Sequence, residues 1–536
     1  MSTAPEWVRL DIDELNEVLE RAKPALDAAD HEKLCLTVAG FAELLRLLEN
    51  QRLSLARLRK MLFGASTEKT PGPRPEPPDN DDPPGAGNAG DDDKPPRKGH
   101  GRRSAEEYTG AERRRCAHPS LKPGQSCPHC DAGKVYAQSE PGVFIRIVGQ
   151  APLGATCYEL EKLRCNLCGE MFTAPTPEEA GGEKYDESAA STIAMFKYGS
   201  GFPFNRLEGI QDHFGIPVPA STQWDVVNAA AKKLVPVHTE LIRHGAQRKL
   251  MHNDDTTARV LELMDPDTRR RVFDDLCEQR SGVFTSVIMS IREQRKIALF
   301  FTGARHAGEN LGRVLTQRAS ELEPPIQMCD ALSRNLSPEF ETLLANCNAH
   351  ARRKYVEVFN NFPDECTYVL ETLGKVYKND AVTKKEALSA EQRLSFHQNH
   401  SASLMNELHQ WMTKQLEDKL VEPNSGLGQA ITYMMNHWQK LTLFLHVPGA
   451  PLDNNIAERA LKKAILHRKS SMFYKTLNGA RVGDLFMSLI YTCHLSKINP
   501  FDYLTELLKH ADDLVLNPQQ FMPWNYADTL ARASPV

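Results

Sequence analysis

Met251-His252-Asn253-Asp254-Asp255-Thr256-Thr257, preceded by Arg248-Lys249-Leu250 and followed by Ala258-Arg259-Val260-Leu261-Glu262-Leu263, reads as a short strand ending in carboxylates, a turn and a second strand. Two adjacent acids at a strand end are costly together, because each raises the other's pKa. A divalent cation removes that cost, and hard cations such as Mg²⁺ prefer carboxylate oxygens. The alternative is a solvated Asp-Asp-Thr turn, since acids are common in turns. Residues farther along the chain weigh between the two.

Downstream come two further strand signals, Val283-Phe284-Thr285-Ser286-Val287-Ile288-Met289 and Lys296-Ile297-Ala298-Leu299-Phe300-Phe301. A helix is expected from about His306 to Arg318, with Leu311, Val314 and Leu315 on one face. Pro325-Ile326-Gln327-Met328-Cys329-Asp330 is another strand that ends in an acid. Three strands, a helix and a strand, with acids at the first and fourth strand ends, is the order of a ribonuclease-H-like α/β core. Residues 248–348 are therefore expected to form the first part of that core.

Residues 349–450 read as a helical insertion. It opens on His350-Ala351-Arg352-Arg353-Lys354, either a solvated helix face or a contact to phosphate. Residues 451–536 begin with Pro451-Leu452-Asp453-Asn454-Asn455-Ile456-Ala457-Glu458-Arg459. Asp453 or Asn454 can cap a helix here. Glu458 then sits in its first turns, with Lys462, Lys463, Arg468 and Lys469 following. A lone Glu beside basic residues is usually a helical ion pair. After two strand-end aspartates it can instead complete a metal site.

Upstream, residues 1–69 are helical in pattern. Leu34, Phe41, Leu48, Leu55 and Leu62 recur at seven-residue spacing, which fits a coiled coil or an amphipathic helix packed on its own domain. Residues 70–104 are rich in Pro, Gly and Asp and cannot bury enough apolar surface to fold. Residues 105–180 carry Cys127-Pro128-His129-Cys130 and Cys165-Asn166-Leu167-Cys168, with strand-like runs at Val143–Val148 and Cys157–Leu160 between them. Two such thiolate pairs make a tetrahedral zinc ribbon holding one structural Zn²⁺. Residues 181–247 are expected to be helical. Leu207–Gly215 and a helix capped by Ser221 fit a helix-turn-helix or a plain helical hairpin.

A chain of 536 residues is expected to hold several domains. Its 41% hydrophobic and 25% charged content fit a globular protein. A net charge of -5 means that any nucleic-acid contact must come from local basic patches. There is no apolar run long enough to cross a bilayer and no signal-peptide pattern, so a cytoplasmic location is expected. Twelve cysteines there suggest thiols and metal ligands rather than disulfides.

Together these residues resemble the transposases of the insertion-sequence-66 family, which belong to the DDE class with a ribonuclease-H-like catalytic core. The resemblance runs from about Leu34 to Tyr526. It is carried by Phe63–Lys69, by the two cysteine knuckles, and by His252-Asn253-Asp254-Asp255-Thr256 against the family's His-x-Asp-Glu-Thr. It is carried further by Asp330, by Cys347-Asn348-Ala349-His350-Ala351-Arg352-Arg353, and by Asp453–Arg459 against Asp-Asn-Asn-x-x-Glu-Arg. Arg468-Lys469-Ser470-Ser471-Met472-Phe473, Asn499–Leu504 and Pro523–Tyr526 also fit. Asp255 stands where Glu is usual, and Ala331–Asn335 replaces a Gly-Tyr-x-x-Tyr loop.

The resemblance implies a multidomain α/β enzyme that cuts and joins DNA at the ends of a mobile element. Asp254, Asp330 and Glu458 would be catalytic and hold two Mg²⁺ (or Mn²⁺) ions roughly 3.5–4 Å apart. His350, Arg352, Arg353, Arg459, Lys462 and Lys469 would contact double-stranded DNA. A homo-oligomer, most simply a dimer formed through the heptad, and companion proteins encoded by the same element are implied as partners. Two rivals remain: a DNA-binding regulator that does not cut, and a hydrolase using an acid pair without metal, as glycosidases do.

Overall fold

The computed structural model describes residues 150–533 apart from 165–170, 273–281 and 293–294, together with parts of 18–38 and 120–135. The chain divides into two compact units, Met1–Arg146 and Ile147–Val536. In the first, helical residues 33–38 leave Leu34 and Leu36 exposed. The other heptad positions, Phe41, Leu48, Leu55 and Leu62, lie outside the described residues, as do the linker over 70–104 and the cysteines Cys127, Cys130, Cys165 and Cys168.

The second unit opens with an antiparallel pair, β1 (Lys162–Arg164) and β2 (Met171–Thr173), with Leu163 opposite Phe172. The strand expected over Cys157–Leu160 is not formed; pairing begins only at Lys162, where Thr173 supplies a partner. Helices α1 (Glu187–Ala194), α2 (Phe204–His213) and α3 (Ala220–Ala246) follow. Gly215 stops α2 with φ +73°, a backbone conformation that glycine adopts without strain. Ser221 does not cap α3. Pro219 sits at the N-cap with φ -56°, and the helix starts two residues earlier than expected. Val227, Ala230, Ala231, Leu234, Val237 and Leu241, at helical spacing, are all buried. The apolar face of α3 is therefore spent on the core of its own unit.

The core sheet has the order β5-β4-β3-β6-β7. Its strands are β3 (Leu250–Thr257), β4 (Phe284–Arg292), β5 (Arg295–Gly303), β6 (Ile326–Cys329) and β7 (Leu343–Asn346). β3, β4 and β5 form an antiparallel meander. Helix α4 (Ala307–Leu315) then crosses over, so that β6 pairs parallel with β3 and β7 parallel with β6. The order of three strands, a helix and a strand is as expected. The local structure around the acids is not. Asp254 and Asp255 do not end a strand before a turn, because β4 pairs with β3 without interruption from Ile291↔Leu250 to Phe284↔Thr257. The second strand expected from Ala258 is absent. Leu261–Met264 is a 3-10 turn, and Val260 instead bridges to Tyr474.

Strand β5 is an edge, and an edge strand presents unpaired N–H groups. The C-terminal helix Leu477–Leu495 covers it with three side chains. Thr492 Oγ1 accepts the Ala298 N–H at 3.1 Å, Ser488 Oγ accepts that of Phe300 at 2.9 Å, and Asp484 Oδ2 accepts that of Thr302 at 2.6 Å. The match is geometric: four helical residues rise about 6 Å and two strand residues about 6.8 Å. Burial pushes the Asp484 carboxyl up to about 7, against the opposing effect of its bonds from Thr302 and the charge of Arg481.

Between the ordinary 3.8 and about 7 the folded chain keeps a proton on Asp484 that the unfolded chain has lost. Its contribution to stability therefore falls as pH rises through that window, by up to about 4 kcal/mol if the whole shift is realised. Asp484→Asn cannot titrate. Urea denaturation is expected to show the variant gaining on the parent between about pH 4 and pH 7; parallel pH profiles would refute this.

Between β7 and the helix that returns to the sheet lies an all-helical insertion. It comprises α5 (Asn348–Val358), α6 (Pro363–Lys385), α7 (Ala390–His400), α8 (Ala402–Glu417) and α9 (Gly426–Asn436). At its centre Asp380 is buried and receives Lys384 Nζ at 2.6 Å, Arg393 Nη2 at 2.7 Å and His397 Nε2 at 3.4 Å. Helix α10 (Asn455–Ser471) then returns to the sheet, followed by α11 (Leu477–Leu495), the cover of β5, and by α12 (Pro500–Lys509). Among the described residues no helix is long and apolar enough to cross a membrane.

Candidate active site

Side chains alternate along a strand, so the neighbours Asp254 and Asp255 face opposite sides of the sheet. Asp254 shares its face with His252 and Thr256, and α10 lies on that side. Asn454, at the N-cap of α10, accepts through Oδ1 from His252 Nδ1 at 3.1 Å and donates through Nδ2 to the Asn253 carbonyl at 3.1 Å. Farther along α10, Arg468 donates to Thr256 Oγ1 at 3.3 Å and to Thr257 Oγ1 at 2.6 Å. The helix is thus fastened to β3 on both sides of Asp254.

Asp330 follows β6 directly. Met328 is the register partner of His252, so two residues on Asp330 comes level with Asp254, on the same face of the neighbouring parallel strand. Its Oδ1 accepts from Leu332 N at 3.2 Å and from the Asn335 side-chain amide. Beneath it runs a buried polar network. Gln327 Nε2 donates to Asn253 Oδ1 at 2.9 Å and to the Asn335 carbonyl at 2.6 Å, and Asn253 Nδ2 donates to the same carbonyl at 2.7 Å. The turn that carries Asn335 is pressed against α4: a Cβ added to Gly308 would lie 2.0 Å from the Leu336 carbonyl oxygen. The Ala331–Asn335 segment therefore has a local task, to hold Asp330.

Asp255 belongs to a different constellation. Its Oδ2 accepts from His306 Nδ1 at 2.8 Å and from the Ala307 N–H at 3.3 Å, and Arg334 Nη2 lies 3.5 Å from Oδ1. His306 is the N-cap of α4, so this carboxylate ties the crossover helix to β3. The acid at this place in the motif is a clamp rather than part of the acidic cluster.

Glu458 lies in the first turns of α10, and His350 in the first turn of α5. The two helix starts are joined: the Asn454 N–H reaches Cys347 Sγ at 3.2 Å, and the Asn348 N–H donates to the Leu452 carbonyl at 3.0 Å. His350 Nδ1 consequently lies 3.8 Å from Glu458 Oε1. Burial pushes the Asp254 carboxyl up to about 7, against the Asp255 N–H that it accepts at 2.8 Å. The negative charges of Asp330, Asp255 and Glu458 act in the same direction as burial. All three expected acids are thus close enough to repel at Asp254.

Their oxygens do not all lie within 4.8 Å of one another. Among the described residues, the group whose ligand atoms do is Cys347, His350 and Glu458. Ligands of two ions roughly 3.5–4 Å apart need not be mutual neighbours.

The basic residues divide. Arg353, Arg459, Lys462 and Lys469 are exposed and Arg352 is half-buried, whereas His350 is turned inward to Glu458. On α10 the spacing of Glu458, Lys462 and Lys469 puts all three on one side of the helix. A cavity of about 440 Å³ lies elsewhere, at the end of β5, lined by residues including Arg305, Arg313, Arg481 and Asp484. Sequence reasoning named Asn454 only as a helix cap and His306 only as a helix start. It missed Gln327 and Asn335, whose signal was nearness in sequence to Asp330.

The family model described as Transposase IS66 family matches residues 182–482, more than half of the chain. The uncharacterized protein y4hP of Sinorhizobium fredii (strain NBRC 101917 / NGR234) is 27% identical over 380 residues, which cover 68% of this chain and 67% of that protein. The uncharacterized protein y4jD of the same strain is 26% identical over 391 residues, covering 69% and 72%.

Proposed function

This chain belongs to the IS66 family of transposases, and we propose that it cuts DNA at the ends of an insertion sequence and joins the freed strands to target DNA by metal-dependent phosphoryl transfer. In this reading the sheet and its helices are a ribonuclease-H-like core, with Asp254, Asp330 and Glu458 as the catalytic acids. The observation that carries it is the assembly of three acids from remote parts of the chain at one end of the sheet, where their charges add to burial in holding the Asp254 carboxyl up to about 7. Mutually repelling, part-buried carboxylates are a donor set that divalent cations neutralise.

Asp254, Asp330 and Glu458 would hold two Mg²⁺ or Mn²⁺ ions, and these, when bound, supply Lewis-acid activation of the attacking oxygen and stabilise charge on the leaving one. The remaining tasks fall to the protein. Arg353, Arg459, Lys462 and Lys469, with Arg352, hold strand phosphates beside Glu458 and fix the scissile bond in line. Asn454 and Arg468 keep α10 against β3, so that Glu458 stays opposite the two aspartates. The Asp255 clamp and the Asn335 bond fix the strand and the loop behind them. The same reading assigns the knuckles Cys127, Cys130, Cys165 and Cys168 a structural Zn²⁺, and the N-terminal heptad a dimer contact.

The test is incubation of the purified chain with DNA carrying the element's ends, with Mg²⁺ and with excess chelator. Strand cleavage and joining are expected with Mg²⁺ and absent with chelator. Binding without cleavage under both conditions would favour the regulator. Hydrolysis that ignores chelator would favour a metal-free acid pair.

A further inference from the structure

Two atoms at the acid cluster are buried without a hydrogen-bond partner, His350 Nδ1 and Glu458 Oε1. They face each other at 3.8 Å, too far for a hydrogen bond. A ring nitrogen and a carboxylate oxygen left unmatched side by side are unusual, because each is costly to bury alone. Cys347 Sγ completes a set whose atoms lie within 4.8 Å of one another. Donors around one first-row ion, at bond lengths of about 2.0–2.3 Å, stand about 3–4 Å apart, and the observed gap falls in that range.

The placement follows from the backbone. Cys347 is the N-cap of α5 and His350 stands in its first turn, while Glu458 stands in the first turns of α10. The Asn454 N–H on Cys347 Sγ joins the two helix starts at 3.2 Å. We propose that His350 Nδ1 and Glu458 Oε1 are ligands of one divalent first-row metal ion, with Cys347 Sγ within reach, so that this half of the site prefers Mn²⁺ over Mg²⁺. The inference rests on the reading of Glu458 as a metal ligand. It moves His350 from phosphate contact to metal ligation. Imidazole nitrogen binds transition ions far better than Mg²⁺, which demands oxygen.

Mn²⁺ is the probe, used with the full chain and followed by electron paramagnetic resonance. The wild-type protein is expected to bind Mn²⁺ more tightly than Mg²⁺ and to show nitrogen hyperfine coupling from a directly bound imidazole. His350→Ala should lose that coupling and bind Mn²⁺ at least about 10-fold more weakly, with a smaller change for Mg²⁺. His350→Gln, which keeps bulk and polarity, should melt like the parent and also lose the coupling. Coupling that persists in both variants, coupling absent from the wild-type protein, or unchanged Mn²⁺ affinity would overturn the assignment. DNA cutting without imidazole coupling removes this inference and leaves the transposition reading intact. Imidazole-bound Mn²⁺ without cutting by either ion does the reverse.

Discussion

Replacing Glu458 by glutamine is expected to leave binding of end DNA intact and to cut Mg²⁺-dependent strand joining by at least about 10³-fold. Glutamine keeps the volume and one carbonyl oxygen but removes the charge. Glu458, itself half-buried, shares one side of α10 with the exposed Lys462 and Lys469, and those cations remain to hold phosphate. The helix itself is fastened through Asn454 and Arg468, neither of which depends on Glu458. Fold and DNA affinity should therefore survive, and the loss should appear in the chemical step alone. Gel-shift and strand-transfer assays on one preparation separate the two. Joining at the parental rate would remove Glu458 from the catalytic set.

The largest effect on stability is expected at Asp380, in the helical insertion. Asp380→Ala should lower unfolding free energy by about 3–5 kcal/mol, the usual cost of removing one partner from a buried charge cluster. The carboxylate is buried, yet His397, Arg393 and Lys384 together outweigh burial and hold it well below the usual carboxylate range. Without it, His397 and Arg393 would keep their burial and lose their counter-charge. Trp411, packed on Tyr368 with ring centroids 5.0 Å apart, lies in the same insertion and serves as the fluorescence reporter in urea titration. The sign with pH is opposite to that of Asp484. A lowered carboxyl stabilises above its unfolded value of 3.8 and loses that contribution as pH falls toward the folded value. The gap between parent and variant should therefore narrow on acidification below about pH 4; a gap constant with pH, or smaller than about 1 kcal/mol throughout, would refute the cluster's role.

Local pattern was enough for much of this molecule. The apolar runs gave β4, β5 and β6 to within a few residues, and the spacing of Leu311, Val314 and Leu315 gave α4. It failed where a distant partner overrides local preference. Asp254-Asp255-Thr256-Thr257 looks like a turn because acids and threonines suit turns. It is strand because β4 and Arg468 supply its hydrogen bonds. Ser221 looks like a cap, but Pro219 starts the helix before it.

What the sequence determined by itself is the inventory: which acids, cations and thiols exist, and which segments can be strand or helix, since these depend on residue type and spacing at short range. What the tertiary structure alone decided is which of them meet. Asp255 turns away from Asp254 to clamp α4. His252 finds Asn454 across 202 residues, and His350 comes to rest against Glu458. Such meetings depend on strand register and on the seating of one helix against another. A shift of one residue would send a strand's side chains to the opposite face and turn a helix's by about 100°.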